Sequence, residues 1–448
     1  MDGLHYYIYL LRNRISYYRY VFYYGFNVLT LMRTIAFLYS LYDLMMDIIG
    51  LKESNIYMVV LFGMSILWTA IDYVINYGDK YTVIEEIPDY YSNVHFVENR
   101  LNNGETERKA WKRIDIKNKN VTDRVFIRDE VNSFLQNTKS IDYKEKPEYK
   151  KLIQKTIRTN WDRYMPYLKR QYLDANYTGS LFFNEKKYGI SGEFDETSDD
   201  VTLHKTCYYD SFLTDIAPGK KIVYRKNGIV LSELTGDLSC VEETRSGDKL
   251  LKNVGEYVCS NHPGVSTLLF YHSKIRLYRQ SRILQSSPSK YSPTGSGSVD
   301  YSDIRKSGNT GNFIDVVRYG MNRELFEEVF DNPKITYDDY VETRIIGYFK
   351  WIRKAGKAEF IGISKMKQNM LIKNSNAEHD GEGEYIELNA LTVEELMNSI
   401  KGILSDIEND TVYAGDYSVP VVVALRILYE LCEKVPDKSM SPEKALFE

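Results

Sequence analysis

The sequence predicts an α+β protein of two unlike parts, a two-helix transmembrane hairpin at the N-terminus and a larger cytosolic body of short strands and helices. Two observations carry this expectation. All apolar sequence of membrane length lies within residues 1–77, and beyond residue 181 short β-type runs separated by turns give way to amphipathic helices. At 448 residues the chain is long enough for two or three domains. With 43% hydrophobic and 27% charged residues, it has a globular rather than a disordered composition. A mean hydropathy of −0.40 excludes a polytopic transporter but leaves room for a small membrane module. The net charge of −4 offers no basic field for a nucleic-acid duplex, so nucleic acid is not an expected partner. Cys207, Cys240, Cys259 and Cys432 form no CxxC pair, which points to a reducing setting without structural zinc.

The hairpin occupies residues 1–80, with spans at about 26–49 and 56–77. Ile56 to Ile71 is sixteen residues without a charge, and the run continues to Tyr77. About 20 residues suffice to cross a ~30 Å hydrocarbon core. The first span carries Arg33, Asp43 and Asp47, and the second carries Asp72. Charge at hydrocarbon depth is costly, so these side chains are expected to pair across helices or reach an interface. Gly50 to Asn55 is only long enough for a tight turn between antiparallel helices. Eight Tyr in residues 1–26, with Trp68, Tyr73 and Tyr77, suggest aromatic belts at the headgroups. Arg12, Arg14 and Arg19 before the first span, and Lys80 after the second, place both termini in the cytoplasm. A signal peptide does not fit two such segments without a cleavage site. Two buried helices of a soluble domain are the competing reading.

Residues 81–180 read as a polar helical connector. Glu105 to Asn120 is basic and loop-like. Between Asp142 and Asp174, Leu152, Ile153, Ile157, Trp161, Tyr164 and Leu168 recur at helical spacing, with Pro147 placed to open a helix and Pro166 to kink one. Residues 181–448 form the remaining domain. Its strand-like runs are Leu181–Phe183, Lys221–Tyr224, Ile229–Leu231 and Val265–Tyr271. His204 and Cys207 are three residues apart, which suits an ordinary buried or surface pair better than a metal site. A capping-box pattern at Thr392–Glu395 opens a C-terminal helix, and Val421–Cys432 reads as a core helix.

One segment carries chemistry. A Ser/Gly-rich run from Ser286 to Gly311 precedes a helix from Phe313 to Phe330, and within it Arg323 to Glu328 reads RELxEE. Glu324, Glu327 and Glu328 are spaced i, i+3 and i+4, which sets their carboxylates on one side of a helix. Such a trio suits Mg²⁺ or Mn²⁺ held against a diphosphate, with Arg323 fixing a carboxylate rotamer. A solvated acidic helix face is the plainer alternative.

With Gly264–Tyr271 and Lys274–Arg279 before it, the Gly295–Gly297 turn, and a hairpin at Ile345–Ile352 and Ala358–Ile363 around Gly356, this segment resembles a Nudix domain, whose box is GX5EX7REUXEEXGU. The resemblance implies a Nudix-like αβα sandwich with helical additions. It departs from the box at Asn309 and Phe330, which stand where glycines belong, and at Asp315, which stands for the first glutamate. Those departures weaken the case for turnover more than the case for binding.

Joined to two membrane helices, the domain resembles the two-transmembrane Nudix-type effectors of CBASS, the bacterial antiphage system. That resemblance implies an inner-membrane protein whose partners are a cyclic oligonucleotide second messenger and membrane lipid. Ligand binding, with Arg323, Glu324, Glu327 and Glu328 as candidate ligand-binding residues, would drive homo-oligomer assembly and membrane disruption. The alternative is a membrane-anchored Nudix hydrolase of nucleoside diphosphate derivatives that uses Glu324, Glu327 and Glu328 as Mg²⁺ ligands. No catalytic residue is assigned.

Overall fold

The computed structural model describes residues 3–25, 81–102, 105–118, 121–281, 287, 289–330, 336–368, 384–409 and 416–448. The expected spans at about 26–49 and 56–77, with Arg33, Asp43, Asp47 and Asp72, lie outside the described residues. Among the described residues no helix is long and apolar enough to cross a membrane.

The body is built on a nine-stranded mixed sheet. Its strands are β1 (Lys112–Asn118), β2 (Val121–Ile127), β3 (Gly264–Tyr271), β4 (Lys274–Arg279), β5 (Tyr291–Ser292), β6 (Gly295–Ser298), β7 (Val341–Trp351), β8 (Lys357–Met366) and β9 (Tyr385–Asn389). The main path runs β5-β4-β3-β8-β7-β2-β1, with β6 on β3 and β9 on β4. At its centre β3 and β8 are parallel, from Gly264 opposite Glu359 to Phe270 opposite Lys365. Seven of the eight residues of β3 are buried, as a strand covered on both faces requires. The far edge of β3 is divided, with β6 pairing Gly264 to Thr267 and β4 pairing only Phe270 and Tyr271.

Alternation along the strands sends side chains to two helical layers. Val265, Tyr348 and Phe360 pack with Phe313, Val316, Val317 and Met321, and this layer also holds Val131 and Leu135 of helix Asp129–Asn137. Leu268, Phe270, Ile361 and Ile363 face the other way, against the C-terminal helices Val393–Glu408 and Val419–Glu433. The result is an αβα sandwich. Thr392 caps the first C-terminal helix by accepting from the Glu395 amide at 3.1 Å, and the second is a core helix, as expected. The hairpin between β7 and β8 turns at Ala355 and Gly356, both left-handed at φ 57° and 72°.

Two expectations are corrected. Of the segment Glu105 to Asn120, expected as loop, the described part is strand: Glu105–Ala110 pairs with Val97–Asn102, and Lys112–Asn118 is β1 of the main sheet. Its Lys and Arg alternate with Ile114 and Ile116, a period-two pattern that overall polarity conceals. Strands β1 and β2 therefore belong to the sheet of the body. Gly295–Gly297, expected as a turn, is strand β6.

Tyrosines expected at the membrane belt belong to a protein core. Helix α1 (Gly3–Gly25) lies on α2 (Pro147–Thr159) and α3 (Trp161–Thr178), and buries Tyr17, Tyr20 and Tyr24 there. Tyr17 stacks on Tyr172 with ring centroids 4.0 Å apart. The hydroxyls reach polar partners: Tyr167 donates to the carbonyls of Lys220 and Ser232, Tyr209 to that of Phe182, and Tyr20 to the Asp210 carboxylate. Pro147 opens α2 and Pro166 lies within α3, as expected.

Leu428 is fully buried between the sheet and its helical cover. Leu428→Ala should cost about 2–5 kcal/mol. Gly402, in the exposed face of Val393–Glu408, has open space around its missing Cβ. Gly402→Ala should instead add about 0.5–1 kcal/mol. Urea midpoints at constant slope check both.

Candidate functional site

The RELxEE helix, Phe313–Val329, is capped by Asn312, whose side chain accepts from the Ile314 amide at 3.0 Å. Arg323 lies in its third turn and is buried against β6 and the loop that follows. Its guanidinium donates to Asp303 Oδ1 at 3.0 Å and Oδ2 at 3.2 Å, to Glu324 at 2.9 Å, to Glu327 at 3.2 Å and to the Ser298 carbonyl at 2.7 Å. Burial alone would lower the Arg323 pKa, but the carboxylates of Glu324, Asp303 and Asp300 outweigh it and hold the group charged. Asp303 is fully buried, and no spacing in the sequence pointed to it. The residue at the box position, Asp315, pairs instead with Arg318 at 2.7 Å.

Two carboxylates of the motif hold β6 to the helix. Glu324 accepts from the Ser298 amide at 3.1 Å and Glu328 from the Ser296 amide at 3.1 Å. The close approach requires glycine: a Cβ on Gly295 would stand 2.7 Å from Leu325 Cα, and one on Gly297 would stand 2.1 Å from the Glu324 carboxyl carbon. Glu327 is the exposed member, 51% accessible.

The structure thus brings Arg323, Glu324, Glu327 and Glu328 together around a cation that the chain itself supplies. Glu324 and Glu327 share the guanidinium and Glu328 serves a backbone amide. Among the described residues no group of three or more His, Cys, Asp or Glu side chains gathers to hold a metal ion.

Ser296, Gly297 and Ser298 also line a cavity of about 190 Å³, and none of the four motif residues is part of its wall. Two lysines, Lys354 and Lys357, and one carboxylate, Glu359, line it with His262, Ser266, Gln280, Ser292 and Ser418. Lys357 and Glu359, both buried, form an ion pair at 2.6 Å. Glu359 fits because Gly264 lies opposite, where a Cβ would come within 1.7 Å of its carboxylate. Burial pushes Lys354 down to about 8. Burial together with Lys357, Lys187 and Lys354 holds His262 well below its ordinary value. Asp215, with Oδ2 3.9 Å from His262 Nδ1, is pushed up to about 6 by burial. Groups shifted toward neutrality in a cleft are the usual mark of a functional site. Ser292, Ser296 and Ser298 come from the Ser/Gly-rich run, whereas His262, Lys354 and Lys357 sit in no sequence motif. Only the wider distribution of Ser and Lys on strand ends could have hinted at them. His204 is an ordinary core imidazole, hydrogen-bonded to Ser191 at 2.8 Å, and all four cysteines are free thiols.

Neither a protein-family model nor a curated relative matches the chain. Among solved structures, DR0079 from Deinococcus radiodurans is similar at 16% identity and a TM-score of 0.24, over 38% of this chain and 83% of that one. Tm1382, described as a Nudix hydrolase by proposal, matches at 12% identity and a TM-score of 0.24, over 38% and 71%. A Nudix-family hydrolase from Clostridium perfringens matches at 12% and 0.19, over 38% and 98%. Likenesses this distant assign nothing to the present site.

Two outcomes check these assignments. Arg323→Met should cost about 3–5 kcal/mol, because it strands the buried Asp303, and Asp303→Leu added to it should recover much of the loss. His262 and His204, the latter lowered to about 3 by burial, stay neutral in the fold while the unfolded chain protonates near 6.5. Their contribution is therefore complete above pH 6.5 and falls as pH drops, each by up to about 1.4 kcal/mol per unit. His262→Gln should flatten the urea midpoint against pH between 6.5 and 5.5.

Proposed function

We propose that the protein binds a nucleotide without hydrolysing it, and that binding controls a membrane-embedded N-terminal segment, as in effectors of the CBASS type. The observation that carries this reading is the engagement of the RELxEE carboxylates with Arg323 and the β6 amides, while the adjoining cavity sets Lys354 and Lys357 against a single carboxylate, Glu359. A cavity of about 190 Å³ takes one phosphate group and its immediate surroundings, so a cyclic oligonucleotide would engage it through one phosphodiester. Lys354, Lys357 and the Ser296 and Ser298 hydroxyls supply donors of the right kind.

A short segment supports coupling to the N-terminus. Tyr208–Ser211 is one helical turn, continued as a π-turn over Phe212–Ile216. Tyr208 and Ile216 stand in the cavity wall. Between them Asp210 accepts from the hydroxyls of Tyr20 at 2.6 Å and Tyr24 at 3.3 Å, on α1. A ligand that repositions Tyr208 would change how Asp210 holds α1, and α1 leads directly into the first expected span. For ligand to drive assembly and membrane disruption, it must bind the assembled state better than the resting one.

The test uses the full chain in lipid nanodiscs and liposomes. A cyclic oligonucleotide should bind, and Lys354→Gln with Lys357→Gln should weaken it about tenfold or more. Asp210→Asn should retain binding yet lose ligand-induced dye leakage. Mg²⁺-dependent turnover of a nucleoside diphosphate derivative that disappears in Glu328→Gln would sink this reading in favour of the hydrolase.

A further inference from the structure

A second, larger cavity of about 830 Å³ opens beside the C-terminal half of α1. Four cations line it from three places: Arg19 on α1, Lys150 on α2, and Lys186 and Lys205 on the paired strands Lys186–Ile190 and Asp200–Cys207. Among the described residues neither Arg19 nor Lys150 has a carboxylate partner within 4 Å, and Lys205 approaches Glu145 only at 3.8 Å. The one carboxylate in the wall, Asp210, is buried and already accepts from two tyrosine hydroxyls. Four like charges around a cavity create a standing demand for an anion.

The rim is apolar. Ile15 and Phe22, seven residues apart on one helical face, are 59% and 57% exposed. The cavity therefore pairs an anion-binding floor with an apolar lip. The inner aromatic rings are already used: Tyr24 stacks near-parallel on Trp161 at 5.8 Å, and Tyr20 meets Tyr209 edge-on at 5.2 Å. Of the rings left exposed in the wall, Phe22 and Tyr23 lie on α1 at the lip with Ile15, where an acyl chain would run.

Position argues the same way. The cavity residues Arg19 to Tyr24 immediately precede the apolar run that begins at Phe26. At 1.5 Å per residue they lie within roughly 11 Å of its start. That is the depth of lipid headgroups if the run enters the bilayer, where cations meet anionic phosphates. The geometry points to a site for the phosphodiester of an anionic phospholipid, seated on Arg19, Lys150, Lys186 and Lys205 with its acyl chains along Ile15 and Phe22. This site rests on the membrane placement in the proposed function. It would anchor α1 to the bilayer surface beside the Asp210 contact.

The full chain in a mild detergent tests it by thermal shift with short-chain dihexanoyl-phosphatidylglycerol, dihexanoyl-phosphatidylcholine, inorganic phosphate and a cyclic oligonucleotide. The phosphatidylglycerol should raise the melting temperature by several degrees where the phosphatidylcholine does not. Lys150→Gln with Lys186→Gln should weaken the effect about tenfold, and Lys150→Arg with Lys186→Arg should restore it. Equal responses to the two lipids, or an unaffected glutamine variant, would overturn the site. So would inorganic phosphate or the oligonucleotide acting in place of lipid through the same lysines, which would assign the cavity to a soluble phosphate ligand. Alkaline extraction of native membranes separates the two readings. A chain released by carbonate overturns the membrane placement, whereas a retained chain without headgroup preference overturns only this site.

Discussion

A guanidinium almost wholly withdrawn from water is the constraint around which the candidate site is arranged. Arg323 must be compensated where it lies, and the chain does so with Asp303 from the loop, Glu324 and Glu327 from its own helix, and the Ser298 carbonyl. Desolvation makes each contact matter more than its length alone suggests, since breaking one leaves charge buried without a counter-charge. The same cluster draws β6 against the helix, where only glycine at 295 and 297 permits the approach. The position of β6 in turn sets where the Ser296 and Ser298 hydroxyls stand in the wall of the polar cavity. The motif's carboxylates thus tie β6 to the helix, and the cavity lined by β6 lies beyond that contact.

The tyrosine content has a corresponding physical explanation. Packing of α1 against α2 and α3 relies on large rings that bury extensive area yet carry a hydroxyl needing a partner. In this layer the partners are backbone carbonyls at strand ends and one carboxylate, Asp210. Helix α1 is thus held by groups reaching into the same short segment, Tyr208–Ile216, that borders the polar cavity. The cavity and α1 share a wall without needing a long path between them.

Much of the fold was legible in local pattern. The continuous apolar run Val265–Tyr271, the hairpin around Gly356, the capped helix after Thr392 and the core helix Val419–Glu433 each satisfy a local rule that their packing reinforces. Glu105–Asn118 was not legible, because its strands are rich in Lys, Arg and Glu and look like loop in composition. Residues Gly295–Ser298 looked like a turn because glycine serves two purposes, and here it serves close approach rather than left-handed backbone. The tyrosines of α1 were legible as amphipathic. Their destination was not, since a membrane interface and a polar-rimmed core select the same side chain.

By itself the sequence determined the α+β character of the body, the helix carrying Arg323 to Glu328 and the hairpin that follows it, because each follows from periodicity and spacing along the chain. Only the tertiary structure decided what those carboxylates face. The partner of Arg323 is Asp303, twenty residues away, and the polar cavity gathers His262, Ser296, Lys354 and Lys357 from separate strands and loops. No local spacing encodes such a meeting. It arises where desolvation forces buried charges to find one another, and that condition exists only after the sheet and its helices have closed.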